Sequence, residues 1–479
     1  MSEEVKVERK EPSFGYALMS FVLVLALVLG CNHLLGAPLQ AMFMISWLLI
    51  IPLCMHLGYT YNEIWSAMME SVKNGMSAIL ILLAVGAMIG CWTACGAVPT
   101  IIYAGLNVIN PRMFLLTTFL LCSFISIACG TSWGTLGTAG IAMFAIGESL
   151  GIPSAMTVGA IVSGSYLGDM LSPMSDSTNV ASASVGSELI THCKELLYIV
   201  VPAFLISAAI YALMGVQFTS MNFDQSYIQS VIASMKHYFR LGLVAIIPVI
   251  TLFILLFMKK PSFPSMVTSA LIGLFIAVVW QGASLNNIFG YFWKGYSIET
   301  GEVFLDKLLN RGGVSSMFGS GAFMLFCFGM AGAFNKAGIL QAIINPIASK
   351  AKKPIQLTLV TQIISTVGNM MGTNTFTILM CGTLMGPVYK KEGLHPTNCS
   401  KVMNCTSTVV TSLIPWSVDG VYIFGLFGVA TINYGMYSLY AWIVPLMALL
   451  FVILGIRVIP ANVNLEAGEK YHKAKKIAG

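Results

Sequence analysis

Charge is what this sequence has least of. Only 9% of its 479 residues are Asp, Glu, Lys or Arg, while 57% are hydrophobic and the mean hydropathy is +0.83. A soluble protein carries about 25% charged residues. So few charges cannot cover a water-facing surface, which excludes a soluble domain and predicts a polytopic membrane protein. The charged start, Met1–Pro12, lacks a signal-peptide cleavage pattern, so the apolar run Phe14–Gly30 is expected to stay as a transmembrane helix. The eleven cysteines include no C-x-x-C pair, and the six histidines have no ligand spacing. Neither a zinc site nor a disulfide framework is indicated, and the thiols read as small buried apolar groups.

What charge there is has a pattern. The net +6 gathers at helix ends: Lys6/Arg9/Lys10, Lys259/Lys260, Lys350/Lys352/Lys353, Lys390/Lys391 and Lys473/Lys475/Lys476. That is the positive-inside distribution of a membrane protein, not a nucleic-acid footprint. Fifteen apolar stretches between 14–35 and 436–458 are candidate spans. Several are short or interrupted, so about 11–14 transmembrane helices are expected. Residues 59–74, holding Glu63, Glu70 and Lys73, read as an amphipathic interfacial segment, and 97–112 as a re-entrant segment or loop. Residues 216–238 and 282–312 read as polar connectors.

The chain also repeats itself, at an offset of 242–243. Gly90-Cys-Trp-Thr-Ala-Cys-Gly96 aligns with Gly332-Ala-Phe-Asn-Lys-Ala-Gly338, Gly130-Thr131-Ser132 with Gly372-Thr373-Asn374, and Gly151-Ile-Pro153 with Gly393-Leu-His-Pro396. Pro173-Met-Ser175-Asp176 aligns with Pro415-Trp-Ser417-Val-Asp419. The basic side swaps between copies. Lys390/Lys391 corresponds to Glu148-Ser149, and the 350–353 cluster to 107–112 with its single Arg112. The fold predicted is therefore all-α, with two inverted-topology repeats containing broken helices or re-entrant hairpins. Its parts are a cytoplasmic tail (1–13), repeat 1 (14–215), a connector (216–238), repeat 2 (239–458) and a second cytoplasmic tail (459–479). Gly/Pro-broken segments at corresponding positions of inverted repeats mark the binding site of a secondary transporter.

Asp169, Asp176 and Asp419 are the acids that fall in or beside broken apolar helices. An ionisable residue at membrane depth is by default functional. A hard cation needs oxygen ligands and a proton site needs a carboxylate. Cation and proton binding is expected at Asp169 and Asp176, both as Na⁺ ligands, with Ser172, Ser175 and Thr178. Pro173 between the two acids leaves open whether they meet. Hydroxyls and amides collect in the same breaks, which assigns Thr131, Ser132, Thr373, Asn374, Asn404, Ser407 and Asp419 to substrate binding, although Ser and Thr also mediate helix packing in membranes. Trp133 and Trp416 flank the breaks and either wall a cavity or pack. Lys401 either balances an acid, holds a substrate carboxylate or snorkels. His192 is expected at an interface, with Glu188 and Glu195 near it.

Gly130-Thr-Ser-Trp-Gly-Thr135, Gly168-Asp-Met-Leu-Ser-Pro-Met-Ser-Asp-Ser-Thr-Asn179 and Ile414-Pro-Trp-Ser417 resemble the NhaC family of Na⁺/H⁺ antiporters. The resemblance runs from about residue 14 to 458. It implies a bacterial inner-membrane protein with both termini cytoplasmic that exchanges Na⁺ for H⁺ by alternating access, and that is not an enzyme. No cofactor is implied beyond Na⁺ and H⁺ as coupling ions. The partners implied are the lipid bilayer and a small ion or small-molecule substrate, with no nucleic acid and a homodimer left open. Two departures bear on the solute: Ser177 stands where the family commonly has Thr, and Ser417 follows Trp416 where Asn is common. The family includes organic-acid exchangers and amino-acid carriers, so a Na⁺- or H⁺-coupled carrier of a small organic acid or amino acid is the alternative. Tyr166-Leu-Gly168-Asp169 matches the G-x-G-D of intramembrane aspartyl proteases only loosely, and the other protease signatures are missing.

Overall fold

The computed structural model describes residues 9–108, 110–173, 175–219, 225–258, 260–300, 306, 309–348, 351–371 and 373–463. Lys6, Lys259, Lys350, Met174, Gly372 and the basic cluster from Lys473 lie outside these residues. Among the described residues the chain is helical, and a lone bridge between Leu394 and Pro460 is the only β-type pairing.

The first half runs through α1 (Phe14–Leu35), α2 (Leu39–His56), α3 (Tyr61–Ala94), α4 (Ala97–Val108), α5 (Phe114–Cys129), α6 (Ser132–Thr135), α7 (Ile141–Ser149), α8 (Ser154–Leu171), α9 (Asp176–Val185) and α10 (Leu189–Val216). A π-turn, Leu136–Gly140, joins α6 to α7. The chain then passes through α11 (Gln225–Tyr238), α12 (Leu243–Phe257), α13 (Ser262–Val279) and the short α14 (Ile288–Trp293). The second half has α15 (Phe318–Lys336), α16 (Ile339–Ala348), α17 (Pro354–Met371), α18 (Asn374–Lys391), α19 (Pro396–Val410), α20 (Val418–Phe427), α21 (Thr431–Tyr434) and α22 (Leu439–Ile453).

The halves share one plan. Five helices start 242 residues after a counterpart: α16 after α4, α18 after α6, α19 after α8, α20 after α9 and α21 after α10. Left-handed glycines recur at the same spacing, as Gly96 with Gly338, Gly151 with Gly393, and Gly186 with Gly428. Each pair ends a helix at the same place in its half, where a residue with a Cβ would be strained.

Among the described residues, five helices are long and apolar enough to cross a membrane, and eight when each bent pair counts as one span. Three of these spans form only when two shorter helices meeting at a bend are counted together. One bent pair turns by 46° between the segments 396–413 and 418–427. Other expectations change as well. Residues 59–74 are the first turns of the 34-residue α3, launched by a capping box between Thr60 and Glu63. Residues 97–112 hold α4, and the connectors hold α11 and α14. The 282–312 stretch ends tucked against α3, where the Gly313 amide donates to the Gly86 carbonyl at 2.6 Å.

The packing that positions the site is α5 against α8. A Cβ on Gly168 would lie 2.2 Å from backbone atoms of Ser126 and Ile127, so the two backbones touch. Small residues allow this approach, which drives helix association where lipid replaces water. The Ser126 hydroxyl also donates to the Ser165 carbonyl. This contact sets the last turn of α8, with Asp169, beside the Gly130–Thr131 turn that ends α5.

Candidate functional site

Two breaks build the site. At the first, α8 ends at Leu171 and α9 starts at Asp176. The turn frees carbonyls that have no intrahelical partner. The Thr178 hydroxyl takes up two of them, Asp169 O at 3.1 Å and Met170 O at 2.8 Å. Asn404, reaching across from α19, donates to Met170 O at 3.1 Å. Thr178 and Asn404 therefore hold the backbone of the break, which is how irregular backbone survives at membrane depth.

The Asp169 carboxylate accepts three hydroxyl hydrogen bonds. Ser132 donates to Oδ2 at 2.7 Å, and Ser175 and Ser177 donate to Oδ1, the latter at 3.2 Å. Ser132 comes from the start of α6, and the other two from the turn into α9. One carboxylate and three hydroxyls form an all-oxygen set suited to a hard cation. A hydroxyl that donates to Asp169 keeps lone pairs free to face such an ion.

At the second break, Asp419 sits in the first turn of α20 and is 6% exposed. Trp133 Nε1 at 2.7 Å and the Tyr166 hydroxyl at 2.5 Å both donate to its Oδ1, and Thr411 donates to Oδ2 at 2.8 Å. The Trp133 ring stacks on Tyr422 with centroids 4.4 Å apart, and the Tyr422 hydroxyl donates to the Trp133 carbonyl.

Both acids line a cavity of about 1280 Å³. Its walls include Thr131, Ser132, Trp133, Asp176, Ser177, Thr373 and Asn374. A polar stripe of α3 forms another wall, with Asn62, Ser66, Glu70 and Asn74 spaced four apart on one face. Thr131 and Thr373 cap the N-termini of α6 and α18 through Gly134 N and Phe376 N. Asn374 accepts from Ser407 at 2.8 Å.

The remaining expected residues lie elsewhere. Asp176 lines the cavity but is exposed, and among the described residues its side chain has no partner. It therefore takes no part in the hydroxyl cluster around Asp169. Ser172 caps α8 and is buried. Trp416 packs, donating to the Met370 carbonyl at 3.2 Å. Lys401 does not line the cavity; it is buried beside Glu195 at 3.5 Å and donates to the Arg457 carbonyl at 3.0 Å. His192 is buried rather than interfacial, between Ser400 at 2.8 Å and Asn404 at 3.2 Å.

Sequence reasoning missed Tyr166, Ser177 and Thr411 as site residues. Tyr166 was recoverable, because it precedes Asp169 by three positions and so shares its face of α8. Thr411 and Ser177 were recoverable from the repeat, as the counterparts of Asp169 and Asp419.

Paired broken helices whose ends meet at a polar cavity are the architecture of a secondary active transporter. The model of the Na⁺/H⁺ antiporter family matches residues 12–183 and 164–456. The chain is 38% identical over 436 residues to the malate-2H⁺/Na⁺-lactate antiporter of Bacillus subtilis, covering 91% of each chain. It is 32% identical to an uncharacterized Na⁺/H⁺ antiporter of Haemophilus influenzae, over 90% of this chain and 94% of that one. It is 31% identical to the Na⁺/H⁺ antiporter NhaC of Alkalihalophilus pseudofirmus, over 94% and 97%. The chain belongs to the Na⁺/H⁺ antiporter family, and it is a multi-pass membrane protein.

Proposed function

We propose that this protein is a secondary active antiporter of the NhaC type that exchanges Na⁺ for H⁺ by alternating access, with Asp169 as the carboxylate the two ions share. The observation that carries this is the Asp169 cluster: one acid, three hydroxyls and an opening to a large polar cavity. A proton and a cation compete for the same oxygens, so binding one displaces the other. Asp176 stands in the same cavity and attracts cations to it. The repeats take inverted topology, the termini lie in the cytoplasm and the membrane is the bacterial inner membrane. The swap of basic clusters between the halves supports the topology.

A second reading has its own observation. A cavity of about 1280 Å³ far exceeds the roughly 30 Å³ of one water, and its lining includes Lys260, Lys336 and Asn374. That lining suits an organic acid moved together with, or against, the coupling ions, and a relative at 38% identity is named for malate and lactate exchange. Proteoliposomes separate the two. Sodium flux driven by a pH gradient with no organic solute supports cation/proton exchange. Flux that appears only with malate, lactate or an amino acid on one side supports the carrier.

A further inference from the structure

The 242-residue spacing relates the two acids in an unexpected way. Asp169 accepts from Ser177 across the first break. The residues 242 positions later are Thr411 and Asp419, and Thr411 donates to Asp419 across the second break. The same carboxylate–hydroxyl pair occurs in both halves with the two groups exchanged.

The surroundings of the two acids differ in chemistry. Among the described residues, every side-chain donor on Asp169 is an aliphatic hydroxyl, which has lone pairs for a cation. Asp419 has the Trp133 indole on one oxygen, and an indole N–H has no lone pair to offer. Its three partners among the described residues are uncharged. The other titratable groups near it are Tyr422 on its own helix, Tyr434 on α21, and Asp169. Asp419 thus faces the cavity with one oxygen capped by a donor that has no lone pair to share, which makes it a poorer cation site than Asp169 and leaves it free to exchange a proton.

Both donors on Asp419 Oδ1 come from the segments that make the Asp169 site. Trp133 follows Ser132, which donates to Asp169, and Tyr166 lies one turn before Asp169 on α8. When the carboxylate takes a proton from hydronium in the cavity, an O–H bond of hydronium breaks and leaves water, a new O–H bond forms on Asp419, and the acid gains a donor. The new O–H needs an acceptor, which is cavity water or a hydroxyl partner that turns from donor to acceptor. Trp133 cannot turn, so among the three partners that role falls to Tyr166 or Thr411. The proton returns to cavity water when the acid ionises again.

We propose that Asp419 is a second coupling carboxylate that takes up and releases one proton per cycle, and that Trp133 and Tyr166 link its charge state to the Asp169 site. This rests on the Na⁺/H⁺ exchange proposed above. The test uses the full chain in proteoliposomes with the membrane potential clamped at zero. The sodium gradient that just balances a fixed pH gradient gives the protons exchanged per Na⁺. Asp419→Asn should lower that number by one, and Tyr166→Phe, which removes only an O–H, should lower it to a fractional value while Na⁺ still crosses. An Asp419→Asn protein with the wild-type ratio overturns the proposal. If Asp419→Asn moves no Na⁺, the protons released on Na⁺ binding are counted in weakly buffered detergent solution. Fewer than wild type supports the proposal, and an equal number overturns it. If Asp419→Asn does not fold, a wild-type ratio in Tyr166→Phe overturns it. Wild-type protein that exchanges no Na⁺ for H⁺ overturns the function above and this inference with it. A working wild type with an unchanged Asp419→Asn ratio overturns this inference alone.

Discussion

Ser132 donates to Asp169 at 2.7 Å, from the first turn of α6 to the last turn of α8. This bond, between residues 37 apart in sequence, ties the Gly130–Thr131 turn to the α8–α9 break. It also fixes the neighbouring Trp133, whose indole reaches Asp419 in the other half of the chain. The site is therefore one connected polar unit inside an apolar fold. Changes at its members should appear in coupling before they appear in folding.

Asp169→Asn should leave the protein inserted and sharply reduce coupled exchange. The amide keeps the shape but removes the charge that binds either ion. The loss in exchange rate should be about a hundredfold, the order expected when charge-assisted contacts of roughly 1.5–3 kcal/mol each are weakened. Sodium uptake into proteoliposomes under a fixed pH gradient measures it.

Asp176→Asn should have a milder effect. The side chain is exposed in the cavity and has no partner among the described residues, so it acts through its field. The apparent KM for Na⁺ should rise about three- to tenfold, the scale of a solvated charge interaction near 1 kcal/mol, with little change in maximal rate. High ionic strength should shrink the difference, because salt screens exposed charges.

Two structural variants test the scaffold. Gly168→Ala pushes a methyl into the α5 backbone 2.2 Å away and should cost roughly 1–3 kcal/mol, the usual range for overpacking. Thr178→Val removes one donor from each of the Asp169 and Met170 carbonyls, which keep Ser177 and Asn404, and should cost roughly 0.5–1.5 kcal/mol. Thermal unfolding in detergent reads both, against Ser262→Ala outside the breaks as a control.

Much of this site was legible in the sequence because broken helices need Gly, Pro and hydroxyls, and those residues stand out in an apolar chain. The 242-residue repeat located the second break from the first. The pairing of the acids was not legible. Asp169 and Asp176 are close in sequence, but the turn at Pro173 lets Ser175 and Ser177 meet Asp169 while Asp176 lies exposed in the cavity apart from that cluster. Of the three roles the sequence leaves open for Lys401, the structure matches balancing an acid, Glu195. Helical phase and this partner 206 residues away place it in a separate buried charge cluster. Residues 59–74 looked interfacial because their polar stripe faces the cavity, and the residue pattern alone does not distinguish an aqueous cavity from a membrane surface.

Inverted topology places loops at opposite faces. In a cysteine-free background, a thiol introduced at Ala37 should react with an impermeant reagent added outside intact cells. One at Lys352 should react only after the inner face is opened. Labelling of both from the same side would contradict the inverted arrangement.

Competition at Asp169 is the central claim, and pH is its most direct probe. If Na⁺ and H⁺ share the Asp169 oxygens, raising the pH removes the competitor. The apparent KM for Na⁺, measured from pH 6 to 9 with the membrane potential clamped, should fall as pH rises and then level off once the site is deprotonated. The maximal rate should change less than the KM in the falling range. An apparent KM for Na⁺ that stays constant across this range would contradict the shared-site account.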